Sequence, residues 1–340
     1  MIKKNKENIS YKLANIKDKK NILEFLRKNF NKDHFFVRNK KFFSWQHTRN
    51  DKVTFGLAKI RNYFTCIQGF VPQSHYDEKL STKEICMTIA SGTKSAPPGS
   101  LLRLFLFIKN QIKAKIIITS GFVPRTKLYN EKLGFKTNLM DHFFFIIHKK
   151  KYNIIKIKKK IIQRIKIKNG KFLELKKKDF LDNSFEKIYQ YSLPKKSNNF
   201  IINRYLDHPI FKYKVYKVFD EHNICIVIIR IINIKKNCLI KIVDFIGKDI
   251  DIIKIGSLIK HLEKKYSPEI IDICSYGIDT KYFKSLGLLD RRKFKGLVIP
   301  DHTSPLEKMN VDLLIGYIAT KKDEKYIRIM RGDGDRDRPS

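Results

Sequence analysis

The sequence predicts an α/β (α+β) fold built twice in tandem, each domain a mixed, mostly antiparallel central sheet flanked by helices. Three observations carry this. The chain has 340 residues, enough for two domains that each bury a core. One order of elements, three strands, a loop, a helix, a strand, a short helix and a last strand, reads twice along it. The halves also echo each other locally. Leu133-Gly134-Phe135 and Leu286-Gly287-Leu288 each follow a short helix, while Phe42-Phe43-Ser44-Trp45 and Ile201-Ile202-Asn203-Arg204-Tyr205 each precede a first hairpin.

In the first half, 21–30 carries apolar residues at helical spacing. Residues 53–60 and 63–71 read as a hairpin turning at Arg61-Asn62, and 84–90 alternates as a third strand. Ser91 to Ser100 is dense in Gly, Pro and Ser and reads as a loop into a helix at 101–112. A strand at 115–120, a helix at 126–133 and a last strand at 138–147 complete the unit. The second half repeats this with a helix at 185–191, strands at 215–219, 223–233 and 238–245, a helix at 253–264, a strand at 270–275, a helix at 280–286 and a strand at 294–299. The predicted boundaries are 1–148 for the first domain, 149–171 for an Ile/Lys connector, 172–330 for the second domain and 331–340 for a charged tail. The connector reads as an exposed edge strand whose lysines block edge-to-edge pairing.

Composition narrows the classes. Hydrophobic residues make up 42% of the chain and aromatics 12%, too many for a disordered protein. Five cysteines form no C-x-x-C pair, so neither a zinc site nor a disulfide framework is expected. The charged start leads into no apolar segment and no run approaches a membrane span, so the chain is expected to be soluble and cytoplasmic. With 72 Lys+Arg against 33 Asp+Glu the net charge is +39. The excess is mostly Lys and accompanies abundant Ile and Asn, the mark of a compositional drift. A nucleic-acid or anionic-membrane surface is the alternative.

Chemistry is readable in the first half. A strand, a breaker loop and a helix present free amides and a positive dipole end to an anion. Gly99-Ser100 open that helix and Lys94 adds a charge nearby. One strand later comes Lys127-Leu128-Tyr129-Asn130-Glu131-Lys132-Leu133-Gly134-Phe135. This stretch, with the order of elements before it, resembles the GCN5-related N-acetyltransferases over residues 10–148, and a fainter copy covers 172–320. Double copies of this kind occur among acetyltransferases and peptidoglycan aminoacyl transferases.

The resemblance implies two tandem acyl-CoA N-acyltransferase-like domains and acetyl-CoA as donor, with no metal. It places the pantetheine arm on the backbones of Ile89 and Ser91, the pyrophosphate on Gly99, Ser100 and Leu101, and a general acid at Tyr129. The family's loop usually opens with Gln or Arg, where this chain has Ala96-Pro97-Pro98-Gly99-Ser100-Leu101. An amine acceptor must lose a proton, so a base is needed within reach. Glu84 at the head of the third strand is the first candidate. His75 and Asp77 come next, then Asp141 and His142.

The second half has Gly247-Lys248-Asp249-Ile250-Asp251 where the anion loop would be, and two carboxylates there repel a phosphate. Arg204, Tyr205 and His208 are candidates for a wall of the acceptor cleft, or for packing between the domains. His34 and Trp45 belong to an aromatic cluster that suits a sugar ring or base, or forms a satellite core. The terminal Arg331-Gly332-Asp333-Gly334-Asp335-Arg336-Asp337-Arg338-Pro339-Ser340 resembles the Asp-Gly-Asp-Gln-Asp-Arg-Pro-Asn ending of predicted acetyltransferases of bacterial surface-polysaccharide and amino-sugar gene clusters. It reads as a mobile tail folding over the cleft, or as a solvated end. The function expected is N-acetyl transfer from acetyl-CoA to an amine of an amino sugar or sugar nucleotide. An aminoacyl transferase using charged tRNA and an inactive binding protein of the same fold are the alternatives.

Overall fold

The computed structural model describes residues 8–167, 170–181, 185–303, 305–334 and 337. Asp335, Arg336 and 338–340 of the tail lie outside the described residues.

Strand β1 (Ile9–Asn15) leads into helix α1 (Lys19–Asn29), whose Ile22, Leu23, Phe25 and Leu26 are buried, as their spacing predicts. Helix α2 (Lys40–His47) is capped by Asn39, whose side chain accepts from the Phe42 amide. The hairpin β2 (Lys52–Ile60) and β3 (Tyr63–Pro72) turns on Arg61 at φ +53°. Then come β4 (Glu84–Gly92), α3 (Ser100–Ile112), β5 (Ile116–Phe122), α4 (Lys127–Lys132), β6 (Lys136–Leu139) and β7 (Asp141–Ile146). Leu104, Phe105 and Ile108 on the inner face of α3 are buried, each contributing about 1.5–3 kcal/mol by leaving water.

The second lobe contains β8 (Lys171–Leu175), β9 (Tyr213–Phe219), β10 (Ile224–Ile234), β11 (Asn237–Ile246), α5 (Gly256–Tyr266), β12 (Ile270–Tyr276), α6 (Thr280–Leu286) and β13 (Leu314–Ile318). Residues 186–191 form a 3-10 helix. The strands make two large sheets. One runs β1-β2-β3-β4-β5-β13-β6 with Thr48–Arg49 on β2, and the other β8-β9-β10-β11-β12-β7 and then Leu289–Asp290, with Ile329–Met330 on β12. Among the described residues no helix is long and apolar enough to cross a membrane.

The halves exchange strands. The run expected as one strand at 138–147 breaks at Met140. Its first part stays in the first sheet, and β7 crosses to pair with β12 from Ile146↔Ile270 to Asp141↔Ser275. In return β13 inserts between β5 and β6. The exchange spans the boundary placed at residue 148. The strand expected at 294–299 shrinks to Leu297–Val298, and in the second sheet β7 stands beside β12 instead.

The connector also differs from a free edge strand. Among its described residues Lys156–Ile157 pairs with Leu297–Val298, and Lys171 at its end, the first residue of β8, pairs with Phe219. Ile154 and Ile155 are buried, and the buried Glu269 carboxylate accepts from the amides of Asn153, Ile154 and Ile155 at 2.7–3.0 Å. The tail is neither mobile nor solvated where described, because Arg331, Asp333 and Asp337 are buried.

Candidate active site

Strands β4 and β5 run parallel and pair from Glu84↔Ile116 to Met87↔Thr119, then no further, although β4 continues to Gly92 and β5 to Phe122. On its other side β4 stays attached to β3, with an irregularity between Gln68 and Phe70 opposite Thr88 and Ile89. On the far side of β5 the pairing with β13 is irregular at Gly121. The two strands therefore splay apart, and among the described residues no strand pairs with Thr88–Gly92 on β5's side. Ile89 packs its side chain into the cluster with Phe36, Phe42 and Phe43, and the Ser91 side chain is buried.

The loop after β4 is tied back by the Thr93 amide donating to the Thr65 carbonyl at 2.8 Å. Gly99 caps α3 at φ +77°, the left-handed region where a side chain is strained. No side chain caps this helix, and its first amide bonded to the cap is that of Arg103, donating to the Gly99 carbonyl at 3.0 Å. The amides of Leu101 and Leu102, in the first turn, therefore have no helical acceptor. Lys94 and Arg103 are exposed beside them. A negative group at this end meets free N–H donors, the helix dipole and two cations.

Tyr129 on α4 is 39% exposed. Burial pushes its hydroxyl above the usual phenol range, and the neighbouring Cys66 thiol adds to the shift. Cys66, on β3, pairs with Gly92 at the end of β4.

The residues expected as bases lie elsewhere. Glu84 sits where β4 and β5 are still paired, and its Oε2 accepts the Lys195 amide of the second lobe at 2.6 Å. Burial raises its carboxyl. His75 donates from Nε2 to the Trp45 carbonyl at 2.8 Å, and burial lowers its imidazole, so the ring is neutral. Asp77 accepts from the Ser197 hydroxyl at 2.6 Å and the Lys79 amide at 3.1 Å. Glu84 and Asp77 thus join the lobes, while His75 is bound within the first. Asp141 and His142 belong to the second sheet, Asp141 accepting from Arg292 at 2.7 Å.

The expected acceptor residues meet at that same joint. Trp45 donates to the Asn203 carbonyl at 3.3 Å and packs edge-on to His208, with ring centres 4.5 Å apart. Arg204 is buried 5.3 Å from the Trp45 ring and donates to the carbonyls of Gly332 and Gly334. The Tyr205 hydroxyl donates to Asp244 at 2.6 Å. Arg204 is thus taken up in holding the tail, and Tyr205 in binding Asp244 of β11. His34 accepts the Phe36 amide on Nδ1 at 3.2 Å and lines an inter-lobe groove of about 1140 Å³, with Phe35, Arg38, Phe211 and Arg230.

Two buried ionic clusters escaped the sequence reading. Lys196 bonds both oxygens of Asp244 at 2.6 and 2.8 Å and lies 3.1 Å from Asp333. His142, Asp272 and Cys274 converge within 4.8 Å of one another. Burial pushes the Cys274 thiol up, but Arg331 and His142 overcome it and hold it down at about 6. Arg331 donates to Sγ at 3.0 Å, and Lys241 reaches Asp272 at 3.4 Å. With two cations already on its anions, this cluster fits an ion-pair core better than a metal centre. Lys241 and Asp244 interrupt the apolar run of β11, and that interruption was the available signal.

The second sheet repeats the splay but fills it. Strands β11 and β12 pair from Ile240↔Ile271 to Ile242↔Ile273 and part. Into the gap come Ile329 and Met330, paired with Tyr276 and Ser275, and the Gly332 amide donates to the Val243 carbonyl at 2.7 Å. In the adjoining loop Asp249 binds Arg328 and accepts the Asp279 amide. This cleft is occupied by the protein's own chain.

No family model matches the chain, and no curated protein matches it by sequence. Solved structures do match by shape. A GCN5-related N-acetyltransferase from Anabaena variabilis superposes with a TM-score of 0.57 at 11% identity, over 91% of this chain and 72% of that one. One from Kribbella flavida gives 0.51 at 9% identity, over 91% and 70%. A conserved protein of unknown function from Enterococcus faecalis, described as a probable N-acyltransferase, gives 0.52 at 10% identity, over 91% and 72%. At such identities the likeness is one of architecture: the two splayed sheets and their flanking helices are the fold of the GCN5-related N-acetyltransferases.

Proposed function

We propose that the chain is an acyltransferase that takes an acetyl group from acetyl-CoA at the first-lobe splay and delivers it to an amine. The observation that carries this reading is the β4–β5 splay opening directly onto the uncapped amides of α3. A free strand edge, a glycine cap and an anion-attracting helix end, in that order, fit an extended amide-bearing arm ending in a pyrophosphate. Residues Thr88–Gly92 would hold the arm, and Gly99, Ser100, Leu101, Lys94 and Arg103 the phosphates.

The bound donor supplies a thioester whose carbonyl carbon is the electrophile. The unpaired β4 amides stabilise negative charge developing on the carbonyl oxygen. The Tyr129 hydroxyl keeps its proton through neutral pH and gives it to the departing sulfur. The C–N bond forms as the C–S bond breaks, and the amine reacts in its neutral form. It sheds one N–H proton to solvent water, and water returns a proton to the Tyr129 phenolate, so that amide and free thiol are the products. Glu84 and Asp77 bind the lobes together instead of taking the amine proton.

The acceptor is read as an amine on a sugar or sugar nucleotide. The inter-lobe groove beside His34 supports this, since it mixes aromatic faces with arginines and carboxylates. The filled second cleft supports a single donor site per chain. Calorimetry with acetyl-CoA tests the reading. One site per chain, weakened by Gly99→Glu, supports it, and no binding overturns it.

A further inference from the structure

We infer that the connector between the lobes forms a docking groove for the phosphodiester backbone of a nucleic acid, bound without regard to base sequence. It lies apart from the splay and stands independently of the acyl-transfer reading.

The groove encloses about 520 Å³ and is lined by Lys150, Lys151, Lys156, Lys158, Lys159 and Lys160, with Lys308 from the opposite wall. A neighbouring groove of about 740 Å³ shares Lys158–Lys160 and adds Lys293 and Lys295. No Asp or Glu is among the lining residues of either. Among the described residues none of these nine lysines forms an ion pair, whereas elsewhere lysines find partners, Lys12 on Asp18 and Lys214 on Glu174, both at 2.7 Å.

The backbone beneath is held in place. The buried Glu269 carboxylate gathers three successive amides of the connector, Ile154 and Ile155 are buried, and the Lys158 amide donates to the Gly296 carbonyl at 3.1 Å. The Glu269 carboxylate is thus spent on the main chain, and among the described residues the lining ammonium groups are left without an ion pair. Like charges gathered in a concavity focus a positive potential. A compositional excess of lysine spread over a convex surface has no such arrangement.

The charge pattern selects the partner: a strand bearing one phosphate per nucleotide can lay successive negative charges along these lysines. No arginine lines either groove, and the Tyr152 hydroxyl already donates to the Ile147 carbonyl, so base edges are not read.

The test is fluorescence anisotropy of the full chain with a labelled 20-nucleotide oligouridylate at stepped KCl. A six-site variant, Lys→Gln at 150, 151, 156, 158, 159 and 160, is compared with a control carrying Lys→Gln at 17, 20, 32, 41, 52 and 178. These control lysines are exposed and line neither groove. The groove variant is expected to bind at least about tenfold more weakly, its log–log salt slope falling by roughly 4, from about 0.7 per lost phosphate contact. The control should change far less. Lysine acetylation mapped by mass spectrometry on the unaltered chain should show 150–160 protected by the oligonucleotide. Equal losses in both variants, or no protection, overturn the proposal. So does capture by phosphatidylserine vesicles through these lysines without RNA binding.

Discussion

The Lys196 ammonium chelates the Asp244 carboxylate, bonding Oδ1 at 2.8 Å and Oδ2 at 2.6 Å in the buried joint between lobes. Asp333 of the tail lies 3.1 Å from the same ammonium, and the Tyr205 hydroxyl donates to Asp244. One cation thus faces two buried carboxyl groups from different parts of the chain, and burial raises that of Asp333. Lys196→Ala strands both in a low-dielectric site, and a loss of about 3–5 kcal/mol is expected. Urea unfolding of the variant and wild type measures it, and an unchanged midpoint would contradict the pairing.

Gly332 tests how the tail fills the second splay. A Cβ there would stand 2.4 Å from the Tyr205 hydroxyl and 3.0 Å from the Val243 carbonyl, the group that its own amide binds. Gly332→Ala should cost about 1–3 kcal/mol by overpacking and release the end of the chain. Limited proteolysis should then cut beyond Ile327 well before the rest, where the wild type resists.

What the sequence disclosed follows from which interactions are local. The faces of α1 and α3 and the hairpin at Arg61-Asn62 were legible because their periods and turn residues lie within a few positions. The break at Met140 was not, since β7 and β6 look alike until their partner strands are known. Leu314–Ile318 was passed over for 294–299 for the same reason. The charged tail looked solvated because its partners, Lys196, Arg204 and Asp301, lie far away in sequence. In the site, the turn at Gly99-Ser100 into α3 is legible because its breakers are local. The splay is a matter of register and has no local signature, and the bond from Glu84 to the Lys195 amide joins positions too far apart in sequence to be read from either.

Gly99 separates ligand binding from folding. A Cβ at this position meets only Arg103 Nη2, at 4.0 Å, so substitutions there do not disturb the core. Both Gly99→Ala and Gly99→Glu carry the left-handed strain, about 1 kcal/mol. Only Glu adds a carboxylate facing the proposed phosphates. Acetyl-CoA affinity should fall at least about tenfold more for Glu than for Ala, the equivalent of about 1.4 kcal/mol. Equal effects would remove the phosphates from this loop.

Glu84→Gln distinguishes a base from a clamp. Glutamine still accepts the Lys195 amide, so the joint survives, and kcat/KM should be essentially unchanged. A loss of about 10²-fold or more would put Glu84 on the proton path. The pH dependence of stability has a fixed sign. Burial raises the folded carboxyl above its ordinary 4.5, so the folded chain holds this proton more tightly than the unfolded chain. That stability is full below the ordinary value and disappears as pH climbs through the raised one. Glutamine has no such loss, so the variant should gain on the wild type between acid and neutral pH in thermal melts.

Tyr129→Phe removes the proposed proton donor while keeping the ring. Because burial and Cys66 hold the hydroxyl above 10.0, it is protonated throughout the neutral range, and its deprotonation can slow the reaction only above that value. If it protonates the leaving sulfur, kcat should drop by about 10²-fold, with acetyl-CoA affinity nearly intact, since a general acid acts in the transition state and contributes little to ground-state binding. The alkaline fall of the wild-type rate above pH 10 should vanish in the variant. A donor with a more acidic thiol needs less protonation, so the Phe variant should recover part of its deficit with such a thioester. A uniform rise in KM with kcat unchanged would make Tyr129 a wall of the donor site and leave the sulfur to be protonated by solvent.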